Sequence, residues 1–211
     1  SVTLFQSVFG AFTLSRYPHR KDEHLRAWDA ADEYLLQYIE EKKLLASAAS
    51  LLLVNDSFGG LSIPLSGSED GSTAGLKPVV MTDSYLSGRV ISENLGANQV
   101  SQDSVSVISS LDELTVYCDG SFSLVVIKVP KRLALLEDQL HRIRSVIDED
   151  RIIIAAGMTK NIHSSTLSLF EKIIGQTKTS RAQKKARLIF ATFDADLSVA
   201  DNPYPRTYAL P

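Results

Sequence analysis

The sequence predicts a doubly wound α/β fold, a mostly parallel sheet with helices on both faces. Three observations predict it. Short, nearly all-apolar runs suit strands buried on both sides. Amphipathic helical segments alternate with those runs. Polar or glycine-bearing turns follow the strand ends. Residues 1–12 are apolar and β-prone, and residues 13–19 close on a Tyr-Pro break. Residues 21–41 read as a helix, because Leu25, Trp28, Ala31, Leu35, Tyr38 and Ile39 recur at three- and four-residue spacing, with Asp29, Asp32, Glu33 and Glu40 between them. Residues 50–54 form the first core strand, followed by the turn Asn55-Asp56-Ser57-Phe58-Gly59-Gly60. Residues 64–78 are rich in Gly and Ser and predict a loose surface loop. Strands are expected at 79–82, 104–109, 122–129 and 151–156, and helices at 85–95, 132–147 and 165–174. Leu136, Leu140, Ile143 and Ile147 share one face of the second of these helices, and Gly175 supplies a left-handed stop for the third. Residues 186–193 form a late strand of the kind that closes a sheet as an antiparallel edge.

Composition sets the class. The chain has 211 residues, 44% hydrophobic and 22% charged, the proportions of an ordinary globular domain with a sizeable core. Runs such as 51–54 and 124–127 are too short to span a bilayer, so no membrane partner is expected. No charged-then-apolar leader with a small-residue cleavage site is visible, and the first residue, Ser1, is expected of a trimmed chain. Cys118 is the single cysteine, so neither an internal disulfide nor a cysteine-based zinc site can form, and a cytoplasmic location is the expectation. His19, His24, His141 and His163 lack metal-ligand spacing, and neither a nucleophile elbow nor a phosphate-binding lysine loop is present.

The net charge of −3 conceals a division. Residues 1–127 hold 8 Lys/Arg against 16 Asp/Glu, whereas residues 128–190 hold 13 against 6. Lys178, Arg181, Lys184, Lys185 and Arg187 lie within ten residues, and Lys128, Lys131 and Arg132 gather at a strand end, with Lys160 after the next strand. Strand ends of a parallel sheet open on one edge, so these cations are expected to form a surface for the phosphates of RNA. The plain alternative is a set of solvated helix faces.

The strand-end turns are where this fold carries chemistry. A cofactor turn needs several glycines, so that backbone approaches the ligand and opens a helix. Here only Gly59 and Gly60 remain with Asp56, and Phe58 stands inside the turn, so S-adenosylmethionine binding is not expected. Asp83, ending the second strand, occupies the position of a ribose-binding acid, but a helix cap by Asp83 or Ser84 needs no ligand. Amino-group methyltransferases carry Asn/Asp-Pro-Pro-aromatic after the fourth strand, to hold the target NH₂ and stack on its base. Here the stretch is Lys128-Val129-Pro130-Lys131, and lysine has no acceptor for an amino group. Asn202-Pro203-Tyr204-Pro205 resembles the missing motif but follows an acidic polar stretch rather than a core strand.

The stretches 27–37, 54–61, 126–131, 133–137, 162–172 and 184–189 resemble the N-terminal domain of the bacterial ribosomal RNA large subunit methyltransferase G family, over most of the chain. Residues 66–78 match least. The resemblance implies a two-domain rRNA guanine-N2 methyltransferase whose halves share one fold. Its C-terminal half binds S-adenosylmethionine and carries the Asn-Pro-Pro-Phe motif, and its N-terminal half has lost both and helps hold large-subunit rRNA. It implies an extension and first helix over 1–45, a methyltransferase-like non-catalytic domain over 46–195, and the start of a linker to the catalytic half over 196–211. A paralogous small-subunit guanine methyltransferase shares the plan and resembles the chain less. Two rival readings are an enzyme in its own right using Asp56 and Asp83 on S-adenosylmethionine, and a structural module that only packs on its catalytic partner.

Overall fold

The computed structural model describes residues 3–16 and 25–204. Its strands are β1 (Leu4–Ser7), β2 (Gly10–Thr13), β3 (Leu51–Val54), β4 (Val79–Met81), β5 (Ser106–Ile108), β6 (Leu124–Lys128), β7 (Ile152–Met158), β8 (Thr177–Thr179) and β9 (Ala186–Thr192). Its helices are α1 (Ala30–Glu41), α2 (Ser62–Ser66), α3 (Tyr85–Ala97), α4 (Leu133–Arg144) and α5 (Ser164–Ile173). β1 and β2 form an antiparallel hairpin. The other seven strands form one sheet in the order β5-β4-β3-β6-β7-β9-β8. The first five in that order are mutually parallel, β9 runs antiparallel to β7, and β8 antiparallel to β9. The doubly wound α/β fold expected from sequence is the observed one.

The continuous apolar strands have a direct cause. Side chains alternate across a strand, and both faces of this sheet are covered. Leu124 and Val126 of β6 enter one core with Phe5, Trp28, Leu35 and Ile39, while Val125 and Ile127 enter a second with Leu136, Leu140, Ile143 and Phe170. The hairpin, α1, α2 and α3 cover the first face, and α4 and α5 the second. Winding runs outward from β3 to β5 and then returns to β6. The order therefore reverses between β3 and β6, and a crevice opens there beyond the strands' carboxyl ends.

Three expectations change. The helix predicted over 21–41 begins at Ala30, because Asp29 caps it: the Asp29 carboxylate accepts the amides of Ala31 and Asp32, while that of Asp32 accepts the Asp29 amide. Residues 21–24 lie outside the described residues. The predicted loose loop at 64–78 contains most of α2, with Pro64 and Leu65 buried, and hydroxyl hydrogen bonds between Ser68 and Thr73 order the turn beyond it. The late strand β9 is antiparallel but interior. β8 lies outside it, joined by a turn in which Lys184 and Lys185 adopt positive φ, so β8 is the edge. Residues 194–204, most of them exposed, touch the domain where Arg144 donates to the Asp194 carbonyl and Asn202 Nδ2 to Asp138.

Candidate functional site

The crevice at the reversal point is built, and partly filled, by the chain's own side chains. Asn55, at φ 68°, turns its amide across the reversal point. Its Nδ2 donates to the Lys128 carbonyl at 3.0 Å and to Gln139 Oε1 at 2.9 Å, and Gln139 Nε2 donates back to Asn55 Oδ1 at 2.8 Å. Two helix-opening amides, the usual anion-facing donors of this turn, are also taken. Asp56 is buried and accepts Leu61 N at 3.3 Å and Ser62 N at 2.8 Å. The helix they open is α2, only five residues long. A Cβ at Gly60 would lie 3.2 Å from Asp32 Oδ2 and 3.4 Å from Trp28 Cβ, so α1 presses on the turn where a cofactor would lie. Asn94 Nδ2 holds the Phe58 carbonyl at 2.8 Å, and the Arg16 guanidinium sits 5.0 Å above the Phe58 ring. The hollow beside Phe58 measures about 150 Å³, below the ~300–1,000 Å³ of small-molecule sites.

The sequence places Lys128 on the RNA-facing edge, and the structure corrects this. Its parity along β6 matches Leu124 and Val126, so it points towards α1. Its Nζ lies 2.9 Å from Asp29 Oδ1 and 2.8 Å from Asp32 Oδ1, with 16% of the side chain exposed. Burial alone would lower the lysine's proton affinity, but Asp32 and Asp29 overcome it and hold the ammonium above the usual lysine range. Burial pushes the Asp32 carboxyl up to about 6, against the pull of Lys128 and with help from the charges of Asp29 and Asp56. Burial acts the same way on Asp29, but the charge and hydrogen bond of Lys128 carry it below the usual carboxylate range. The triad locks α1 to the end of β6 and removes Lys128 from the exposed cations.

Against this lock, with Asn55, Asp29 and Lys128 in its lining, a groove of about 530 Å³ follows the carboxyl edge from the β4–α3 turn (Thr82, Asp83, Ser84) to the β6–α4 turn (Pro130, Lys131, Arg132). Asp83 is exposed, and its Oδ1 accepts Ser110 N at 2.8 Å. Ser84, not Asp83, caps α3, its hydroxyl accepting the Ser87 amide at 3.1 Å. Lys131 and Arg132 are exposed, and neither enters an ion pair among the described residues. α4 opens at Arg132 without a side-chain cap.

The second cation cluster reaches the same edge. β9 is antiparallel to β7, and Met158 pairs with Ala186, so the turn before β9 stands where β7 ends. Thr159 N donates to the Lys185 carbonyl at 2.8 Å, which puts Lys160 beside that turn. Arg181, Lys184, Lys185 and Lys160 are exposed, with Lys184 Nζ 3.4 Å from Glu33 Oε2. Arg187 differs: it is half-buried, and its Nε is buried without a hydrogen-bond partner.

The remaining candidates stay outside the site. Asn202, before Pro203 and Tyr204, donates to Asp138 rather than facing the crevice, and Pro205 lies outside the described residues, as do His19 and His24. The His163 amide donates to the Thr166 hydroxyl at the start of α5. Burial raises the Cys118 thiol, and its Sγ lies 3.6 Å from the Leu114 carbonyl. Among the described residues no cluster fits a metal ion, and no helix is long and apolar enough to cross a membrane. Sequence reading missed Asn55, Gln139 and the inward role of Asp29 and Asp32. Only the Asp29-x-x-Asp32 capping pattern carried a signal.

A family model described as the RLMG N-terminal domain matches residues 2–195. A protein of Streptomyces avermitilis named ribosomal RNA large subunit methyltransferase G is 41% identical over 203 residues, covering 96% of this chain and 50% of that protein. Its namesake in Erwinia tasmaniensis is 45% identical over 182 residues, covering 86% of this chain and 44% of that protein. The chain spans about half the length of the curated relatives it matches. Among solved structures, the T. thermophilus 16S rRNA N2 G1207 methyltransferase in complex with AdoMet and guanosine superposes with a TM-score of 0.66 at 14% identity, covering 90% of this chain and 50% of that one. Cofactor-bound Rv0187 from MTB superposes with a TM-score of 0.52 at 17% identity, covering 72% of this chain and 79% of that one. At these identities the likeness shows the fold.

Proposed function

Because the chain belongs to the RLMG N-terminal domain family, we propose that it is the non-catalytic, rRNA-holding half of an S-adenosylmethionine-dependent guanine-N2 methyltransferase of large-subunit rRNA. The observation that carries this reading is the self-occupied crevice. Asn55 and Gln139 bridge it, Asp56 takes the amides of α2, and Lys128 is bound to Asp29 and Asp32. A methyl donor placed at the turn after β3 would meet these arrangements, and neither the Lys128 nor the Lys131 side chain offers an acceptor to a guanine amino group. In this reading the methyl donor and the reaction belong to the second half of the longer relatives, and residues 46–195 are a methyltransferase-shaped domain retained for contact with RNA. Residues 1–45 serve as its extension and 196–211 as the start of the linker.

The RNA surface in this reading is the cation edge of Lys131, Arg132, Lys160, Arg181, Lys184 and Lys185, with Arg187 behind it. Phosphates reward such an edge whatever the base sequence. Two measurements test the two halves of the proposal. Calorimetry of this chain with S-adenosylmethionine is expected to show no binding, and micromolar affinity would make the domain a cofactor-binding unit. Replacing Arg181, Lys184 and Lys185 with Glu is expected to weaken binding of protein-free large-subunit rRNA roughly tenfold or more. It should also flatten the log-affinity against log-salt slope by about 0.7–0.9 per lost phosphate contact. An unchanged slope would remove these residues from the RNA surface.

A further inference from the structure

We propose that the groove along the carboxyl edge holds one unpaired RNA nucleotide, its phosphate on Lys131 and Arg132 and its base on the ring of Tyr85. The proposal rests on the RNA-holding reading above and adds to it a site that the cation edge alone does not require. The groove's two walls have opposite character. On the β6 side stand two exposed cations, outside any ion pair among the described residues. On the β4 side stand Asp83 and Ser84, and the next residue is Tyr85, 80% exposed at the start of α3. A second, more apolar hollow lined by Tyr85, Gly88 and Val107 shares Thr82, Asp83 and Ser84 with the groove, so a base that leaves the groove over these three residues reaches the hollow that Tyr85 lines.

A nucleotide has the same polarity, an anion at one end and a flat π-surface at the other. β4 and β6 are each one strand away from β3, so their turns stand about 10 Å apart, the reach of a single nucleotide rather than of a duplex. The volume, about 530 Å³, lies within the ~300–1,000 Å³ of sites that enclose small ligands. An exposed aromatic beside a cation-lined groove is the pattern by which proteins take unstacked bases, since every base has a π-face and duplex bases are not available to it. The groove's floor is shared with Asn55, Asp29 and Lys128, while the three side chains named for the nucleotide, Lys131, Arg132 and Tyr85, are exposed and take no part in the interactions that fill the crevice.

The test uses this chain and fluorescently labelled single-stranded oligoribonucleotides about ten nucleotides long, followed by anisotropy over about 0.05–0.3 M salt. Tyr85→Ala is expected to weaken binding about 5- to 150-fold while leaving the salt slope unchanged, because stacking releases no counterions. Tyr85→Trp should restore affinity. Lys131→Ala with Arg132→Ala should lower the slope by about 0.7 per contact on single strands. A duplex of the same length should bind Tyr85→Ala and the parent chain equally. If Tyr85→Ala binds single strands as the parent does, while the Arg181, Lys184 and Lys185 reversals weaken them, the nucleotide site is wrong and the RNA-holding reading stands. If the parent chain binds no RNA, both fall. If saturating S-adenosylmethionine displaces the oligonucleotide, the groove is a cofactor site and the proposal is overturned.

Discussion

Lys128→Ala is expected to lower the stability of the folded chain by about 3–5 kcal/mol at pH 8, the range for breaking a buried ion pair from one side. The size reflects the group left behind. Asp32 is 5% exposed, and without Nζ at 2.8 Å its carboxylate loses the cation that pairs with it among the described residues. The negative charges of Asp29 and Asp56 remain beside it. The pH dependence has a definite sign. Asp32 has a pKa of about 6 in the folded chain against 3.8 when unfolded. The folded state therefore holds its proton more tightly, and stability drawn from Asp32 falls as pH rises from about 4 to about 6. Asp29 is shifted the other way, so its contribution is present above its ordinary pKa of 3.8 and is lost as pH falls below it. Lys128 is raised from 10.5, so its contribution holds through neutral pH and is lost only in strong alkali. Removing Lys128 pushes Asp32 still higher, and a protonated Asp32 needs no cation. The penalty of Lys128→Ala should thus be clearly smaller at pH 5 than at pH 8. Urea unfolding of both chains at the two pH values checks this. A penalty below about 1 kcal/mol at pH 8 would mean the triad is not the lock between α1 and the sheet.

Gly175→Ala is expected to cost at least about 2 kcal/mol, through strain and collision together. Gly175 follows α5 at φ 155°, and its amide donates to the Phe170 carbonyl at 3.1 Å. An added Cβ would run directly into the Thr192 carbonyl oxygen. That oxygen cannot retreat easily, because Thr192 N donates to the Gln176 carbonyl and Asp194 N to the Ile174 carbonyl, both at 2.9 Å. The contact holds α5 to the end of β9, so the loss should appear in thermal unfolding as a drop of several degrees. Gly96, on α3 with open space at its Cβ, is the matching control, and its replacement by Ala should be neutral or stabilising by up to about 1 kcal/mol. Equal effects at both positions would show that the Thr192 contact does not matter.

The fold was legible in the sequence to a good depth. Strands buried on both faces need unbroken apolar runs, and β3, β6 and β7 each appear as one in the sequence. The helices α3, α4 and α5 kept their spacing and lay within two or three residues of expectation at most ends. β8, with the sequence Thr-Lys-Thr and no apolar residue, offered no strand signal and takes its strand form from pairing with β9. α2 was hidden by a Gly- and Ser-rich stretch whose first turn is nonetheless buried.

The candidate site divides along the same line. That the turn after β3 lacks its early glycines, that Lys128 and Lys131 replace an amide and a ring, and that the cations crowd into 128–190 were all properties of the residues in order. Together with the resemblance to the large subunit methyltransferase G family they led to the expectation of a methyltransferase fold with a degenerate cofactor turn. The structure alone decided which of those cations face water. Asp29 and Asp32 looked like solvated helix charges, yet they lie 99 and 96 residues from Lys128 in sequence and within 3 Å of its Nζ in space. Asn55 meets Gln139 across 84 residues. Periodicity and residue chemistry are local and can be read along the chain. Charge pairing depends on which helix face the sheet buries, and that is settled only when distant segments pack.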